Sequence, residues 1–233
     1  MRSVIVAKKF AARVAVYVLG LFILAFGVVF AINSDLGISP VNSLPFAIHL
    51  ASGVDMGLSV TAFFLFCIAL QIALLRREFK WVNLTQIVFS TIFGAFVDVA
   101  RFFMGDFSLG DFLGYPGQLM MLAISIALIA LGLAAYMEAR LVNLPPEGVV
   151  QAIADKIPGG KFHRVKIAMD SVLVVMAIAV TLVFLGGVYG AREGTVLSAI
   201  FIGKTIPVAR KVATFVLGKT GFYAGGEAQP PGA

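Results

Sequence analysis

The stretch DLGISPVNSLPFAIHLASG, residues 35–53, lies between two long apolar runs and decides how the rest of the chain is read. It holds two prolines, an aspartate, an asparagine and a histidine, and neither lysine nor arginine. It is too polar to cross a bilayer and too apolar for an ordinary loop. A membrane-crossing helix needs roughly 20 apolar residues to span about 30 Å. Runs of about that length flank the stretch and recur beyond it, at 13–33, 57–75, 84–104, 117–138, 165–187 and 195–209. The last is short and carries Lys204 and Pro207, so an end near Leu217 is an alternative.

Composition agrees with this reading. Of the 233 residues, 60% are hydrophobic and 13% charged, and the mean hydropathy is +1.00. A soluble domain is nearer 45–50% apolar and about 25% charged, so the chain is expected to be an integral membrane protein, all-α and polytopic. The first run is long enough to be a retained helix rather than a cleaved signal. The single cysteine, Cys67, excludes an intramolecular disulfide and a cysteine metal cluster. A pI of 9.6 could suggest nucleic acid, but the basic residues gather beside the spans, as topology signals do. No nucleic-acid partner is expected.

Charge orients the spans. Arg2, Lys8, Lys9 and Arg13 precede or open the first; Arg76, Arg77 and Lys80 follow the second. Arg140, Lys156, Lys161, Arg164 and Lys166 surround the connection between fourth and fifth, and Lys204, Arg210, Lys211 and Lys219 lie late in the sixth or after it. Only Arg101 and Arg192 fall on the other side, leaving 16 of 18 basic residues on one. The positive-inside rule makes that side, with both termini, cytoplasmic, in the cell (inner) membrane.

A shift of 105 residues lays Gly27 on Gly132, Leu36 on Leu141, Pro40 on Pro145, Ala47 on Ala152 and Val60 on Val165. Each half reads as span, proline-led short segment, span, span. Three spans per copy force the second copy upside down, giving an inverted 3+3 repeat, about 13–104 and 117–209, within a single membrane domain of 1–233. The Gly/Pro/Ala/Gln-rich tail, 225–233, is expected to be disordered.

The two short segments are read as helices begun by Pro40, after Ser39, and by Pro145. Each is about 12 residues, too short to span. As re-entrant half-helices, with 34–39 descending roughly 20 Å in extended form, they would bring two helix N-termini together near the midplane. Such a place suits an anion or a polar group. The alternative is an amphipathic helix lying in the interface.

The motifs Leu36-Gly37-Ile38-Ser39-Pro40-Val41-Asn42 and Leu141-Val142-Asn143-Leu144-Pro145-Pro146-Glu147, with Gly194-Thr195 opening the last span, resemble the YczE family of bacterial membrane proteins, grouped with YitT-like proteins. The resemblance runs from Leu24 to about Pro207. This chain has Pro40-Val41-Asn42 where that family has P-W-D, and keeps an acid in the second copy as Glu147. The resemblance implies a fold more than a function.

Charges inside spans are costly and commonly line a bundle interior or cavity. Asp98 with Arg101 three residues on, Asp170, and Lys204 are therefore candidates for coupling or gating. Asp170 and Lys204 would sit at similar depth and could pair across helices, unless Asp170 pairs with Lys166 and Lys204 reaches the headgroups. Glu138 and Arg140 are read as interfacial. Ser39, Asn42, Asn143 and Glu147 are the candidate solute contacts, with Pro40 and Pro145 structural. His49 and His163 lack a partner cluster, so neither a metal site nor a cofactor is expected. No nucleophile–base pattern occurs, so no enzyme activity or catalytic residue is expected. The expected function is transport of a small polar solute, an anion included, by alternating access; the alternative is a non-transporting scaffold for another membrane protein. Lipid and solute are the expected partners, and a homo-oligomer is compatible with the sequence.

Overall fold

A computed structural model describes residues 2–219, and every regular element in them is helical. The tail 225–233 lies outside the described residues. The order is α1 (Arg2–Asn33), α2 (Pro40–Ser52), α3 (Met56–Leu75), two 3-10 turns (Arg76–Glu78 and Trp81–Leu84), α4 (Thr85–Met104), α5 (Gly110–Leu113), α6 (Tyr115–Glu138), α7 (Pro145–Lys156), α8 (Phe162–Leu185) and α9 (Glu193–Lys219). Prolines start α2 and α7, where a missing N–H costs nothing. Gly53 and Gly186 close α2 and α8 in the left-handed conformation, returning their N–H groups to His49 (2.9 Å) and Leu182 (3.2 Å).

Among the described residues five helices are long and apolar enough to cross a membrane: Phe10–Asn33, Met56–Glu78, Trp81–Met104, Tyr115–Glu138 and Arg164–Leu185. They match the first five expected spans. The sixth, 195–209, is part of α9, which runs unbroken through Pro207 for 27 residues. That is about 40 Å of helix, but Glu193, Lys204, Arg210 and Lys211 keep it from the apolarity of the others.

The centre of the bundle is the antiparallel crossing of α1 and α6. It is close because it is made at glycines. A Cβ on Gly132 would meet the Gly20 carbonyl and the Leu24 nitrogen at 2.7 Å, and one on Gly27 would meet the Ile129 nitrogen at 2.8 Å. Around this pair α4 packs on α1 and α9 on α6; α2 packs on α8 and α3, and α7 on α3 and α8. Tyr17, Leu21, Val28, Val60, Phe64 and Phe93 fill the core. Exchanging α1–α4 for α6–α9, element by element, turns each of these pairings into another of them. The contact of Leu24 with Gly132 likewise becomes that of Gly27 with Ile129 under the shift of 105. The large pairing of α3 with α4 has no counterpart. The backbones of α3 and α4 touch at Gly57 and Gly94, whereas α8 and α9 make no comparable contact and nothing lies within 4 Å of a Cβ on Gly203.

The bundle has a basic end, where α1 begins and α9 finishes, and a far end. The segment 34–39 does not descend between them. The Ser34 and Asp35 N–H groups finish α1 on Phe30 and Ile32, the Leu36 carbonyl accepts from Gly194 (2.7 Å), and the Ile38 N–H donates to Gly190 (3.1 Å). Arg192 Nη1 adds a bond to the Asp35 carbonyl at 2.7 Å. With its backbone satisfied by the α8–α9 loop, the link stays at the far end. At the basic end, the Pro145 carbonyl accepts from Gln71 and Lys156 pairs with Glu78 at 3.7 Å. Along α9, Thr195 lies against Gly37 and Arg210 reaches Glu138. These contacts, fifteen residues apart along α9, place the chain leading into α2 roughly 20 Å from the end of α6 that leads into α7. The expected meeting of the α2 and α7 N-termini at the midplane does not occur.

Candidate functional site

At the basic end, α7 opens with Pro145 and Pro146 at its first two positions and Glu147 at the third. The prolines remove two of the N–H groups that a helix start leaves free. The Glu147 backbone N–H is held by that residue's own carboxylate. This N-terminus therefore has few donors left for an anion, against the expectation from sequence.

Glu147 is turned into the bundle. The residue keeps some surface, but its Oε2 is buried and has no hydrogen-bond partner. The Tyr17 hydroxyl, on a residue with no exposure, is in the same state. Tyr17 from α1 and Tyr136 from α6 meet edge to face, centroids 5.5 Å apart, and both lie within electrostatic reach of Glu147, as does Cys67 of α3. Lys166 and Asp170 of α8 face the same carboxylate. Burial pushes the Glu147 carboxyl above the usual carboxylate range; Lys166 and the backbone bond pull it back, and Asp170 adds to the rise. Buried polar atoms are normally paired, so two unpaired ones within electrostatic reach of each other mark this place.

Close packing holds it. Gln71 Nε2 donates both to Gln86 Oε1 and to the Pro145 carbonyl, each at 3.0 Å, joining α3, α4 and α7. A Cβ on Gly148 would lie 2.5 Å from Gln71 Oε1, so any larger residue would displace the Gln71 amide that joins the three helices.

The other expected site residues lie elsewhere. Ser39 Oγ accepts from Asn42 Nδ2 at 3.0 Å; both are buried at the far end, and Asn42 Oδ1 has no partner. Asn42 and Glu147, expected to share a site, do not. Asn143 is exposed. Asp98 Oδ1 accepts the Gly57 N–H at 2.7 Å, capping α3 from α4. Arg101 donates to His49 Nε2 at 2.7 Å while His49 Nδ1 donates to the Val54 carbonyl, two bonds that one neutral tautomer satisfies. Asp170 pairs with Lys166 at 2.9 Å along its own helix. Lys204 is exposed, 5.9 Å from the centroid of the Phe201 ring, and the cross-helix pair with Asp170 is not formed because α8 and α9 stand apart. Glu138, read as interfacial, is 1% exposed and bonded to Arg210 at 3.0 Å. Tyr17, Gln71, Gln86 and Tyr136 were missed; glutamines within apolar spans were the available signal. Among the described residues there is no group of three His, Cys, Asp or Glu that could hold a metal.

Over 191 residues, 80% of each chain, the sequence is 28% identical to the "Uncharacterized membrane protein YczE" of Bacillus subtilis (strain 168). The resemblance carried by the motifs at Leu36–Asn42 and Leu141–Glu147 is borne out. No solved structure matches. Residues 11–211 match a family of unknown function, DUF6198, and the chain belongs to it.

Proposed function

We propose that this membrane protein is a transporter of a small polar solute that works by alternating access, with its site around Glu147. The observation that carries the reading is the pair of buried, unpartnered oxygens, Glu147 Oε2 and the Tyr17 hydroxyl, where four long helices and a short helix converge. A packed scaffold gains nothing from desolvating a carboxylate without a partner. The exchange of helix pairings between α1–α4 and α6–α9 supports an inverted repeat, the architecture of many such transporters. α9 would then be the sixth crossing, and the basic end cytoplasmic, with both termini.

A scaffold is the second reading, favoured by the apolar groove of about 200 Å³ lined by Phe22, Ile23, Phe26 and Leu128, a surface suited to another apolar helix and not to a polar solute. The single cysteine separates the two. Cys67 is buried beside Glu147, so its labelling by a membrane-impermeant thiol reagent reports water at the site. A transporter should be labelled slowly in both right-side-out and inverted vesicles. A chain unreactive from both sides refutes transport.

A further inference from the structure

The charges around Glu147 do not cancel. The titratable groups within electrostatic reach of Glu147 are Tyr17 on α1, Cys67 on α3, Tyr136 on α6, and Lys166 and Asp170 on α8. Lys166 is already bonded to both oxygens of Asp170, at 2.9 and 3.0 Å. Ionised Glu147 therefore leaves one uncompensated negative charge in an apolar core, which is strongly disfavoured unless a proton or a cation joins it. The oxygens left unpartnered, Glu147 Oε2 and Tyr17 Oη, can both accept. The α7 start, with its two prolines, offers an anion little. A hard metal ion would need more oxygen ligands than these.

We propose that the Glu147 site binds a small ammonium group, R–NH₃⁺, in exchange for a proton. The inference rests on the transport reading and names its substrate class. In the resting site Glu147 is a carboxylic acid. When the ammonium enters, the acid O–H bond breaks, its proton leaves to water, and the carboxylate accepts an N–H from the ammonium; Tyr17 Oη accepts a second. One positive charge enters and one leaves. A lipid amine headgroup and a free amine share this chemistry.

The test uses the full chain in phosphatidylglycerol nanodiscs, weakly buffered at mildly acidic pH. Methylammonium chloride should release up to one proton per chain, with sodium chloride as the ionic-strength control. Release on methylammonium assigns a free amine. Release only when the nanodiscs contain phosphatidylethanolamine assigns a headgroup. Glu147→Gln should bind methylammonium at least about tenfold more weakly and release no proton. Tyr17→Phe, which keeps the ring, should weaken binding about 3–10-fold, as loss of one hydrogen bond does, and serves if Glu147→Gln does not fold. No release from the wild type with either amine source, release equal to the sodium control, or unchanged affinity in both variants overturns the proposal. If Cys67 is labelled from both sides but no amine releases a proton, transport stands and the ammonium assignment falls. If Cys67 is labelled from neither side, transport itself falls.

Discussion

Replacing Arg210 with methionine tests whether α9 is held to α6 by charge. Arg210 Nη2 and Nε reach Glu138 Oε1 at 3.0 and 3.2 Å. Removing one partner of a fully buried ion pair costs about 3–5 kcal/mol, because the other charge is left desolvated. Here the carboxylate is 1% exposed but the guanidinium 43%. Solvent already screens the pair in part, so the expected loss is about 2 kcal/mol, near 30-fold in the folding equilibrium. Adding Glu138→Gln removes the other member of the pair, so the two losses should fall short of additive by about 1 kcal/mol, a coupling typical of residues in contact. The assay is unfolding of purified protein in mixed micelles by titration with a denaturing detergent, for wild type, both singles and the double. A loss below about 0.5 kcal/mol in Arg210→Met, or strictly additive losses in the double, would refute the reasoning.

Glu147 has a carboxyl held above its unfolded value, so the folded state binds this proton more tightly than the unfolded state does. Its stability contribution is fully present below the unfolded pKa and is lost as pH rises through the folded one. Thermal melts of the wild type should therefore fall toward neutral pH relative to Glu147→Gln, and parallel melting curves against pH would contradict this. Gly148→Ala should loosen α7 from α3 by about 1–3 kcal/mol through overpacking against Gln71, read as a lower melting temperature; an unchanged melt would sink that packing account. Asp170→Lys with Lys204→Asp should show additive losses with no rescue, since Asp170 is paired with Lys166 and Lys204 is exposed; recovery in the double exchange would reinstate a cross-helix pair.

The spans were legible because their apolar runs are long and their ends charged, two signals local in sequence. Five of them coincide with helices of spanning length and apolarity. The short helices were legible too, from Pro40 and Pro145 at their first positions. Their depth was not. It depends on where residues 34–39 find hydrogen-bond partners, and those are Gly190 and Gly194, more than 150 residues away in sequence. At the site, Glu147 stood out as an acid repeated in register with Asn42, but its neighbours Tyr17 and Tyr136 look like ordinary apolar-span residues until α1 and α6 cross. Glu138 shows a similar limit: a charge near a helix end gives no sign of its partner, and only the arrival of α9 beside it makes it buried.

The unequal treatment of the two glycines, Gly94 pressed against Gly57 and Gly203 facing open space, carries a consequence for motion. If the halves are two copies of one motif caught in different poses, as the transport proposal has it, each describes the other's second pose, and the alternative state is the present one with its halves interchanged. In that state α8 would close on α9 at Gly203, just ahead of Pro207, whose missing N–H already weakens α9 as a rigid rod. Meanwhile α3 would swing off α4, drawing Gln71 away from Gln86 and unbolting the door beside Glu147. Leucine at Gly203 should therefore be silent in a melting experiment, because it fills empty space, yet jam the swing, leaving Cys67 labelled from one side of the membrane alone. Labelling of that variant from both sides would mean the halves do not trade places.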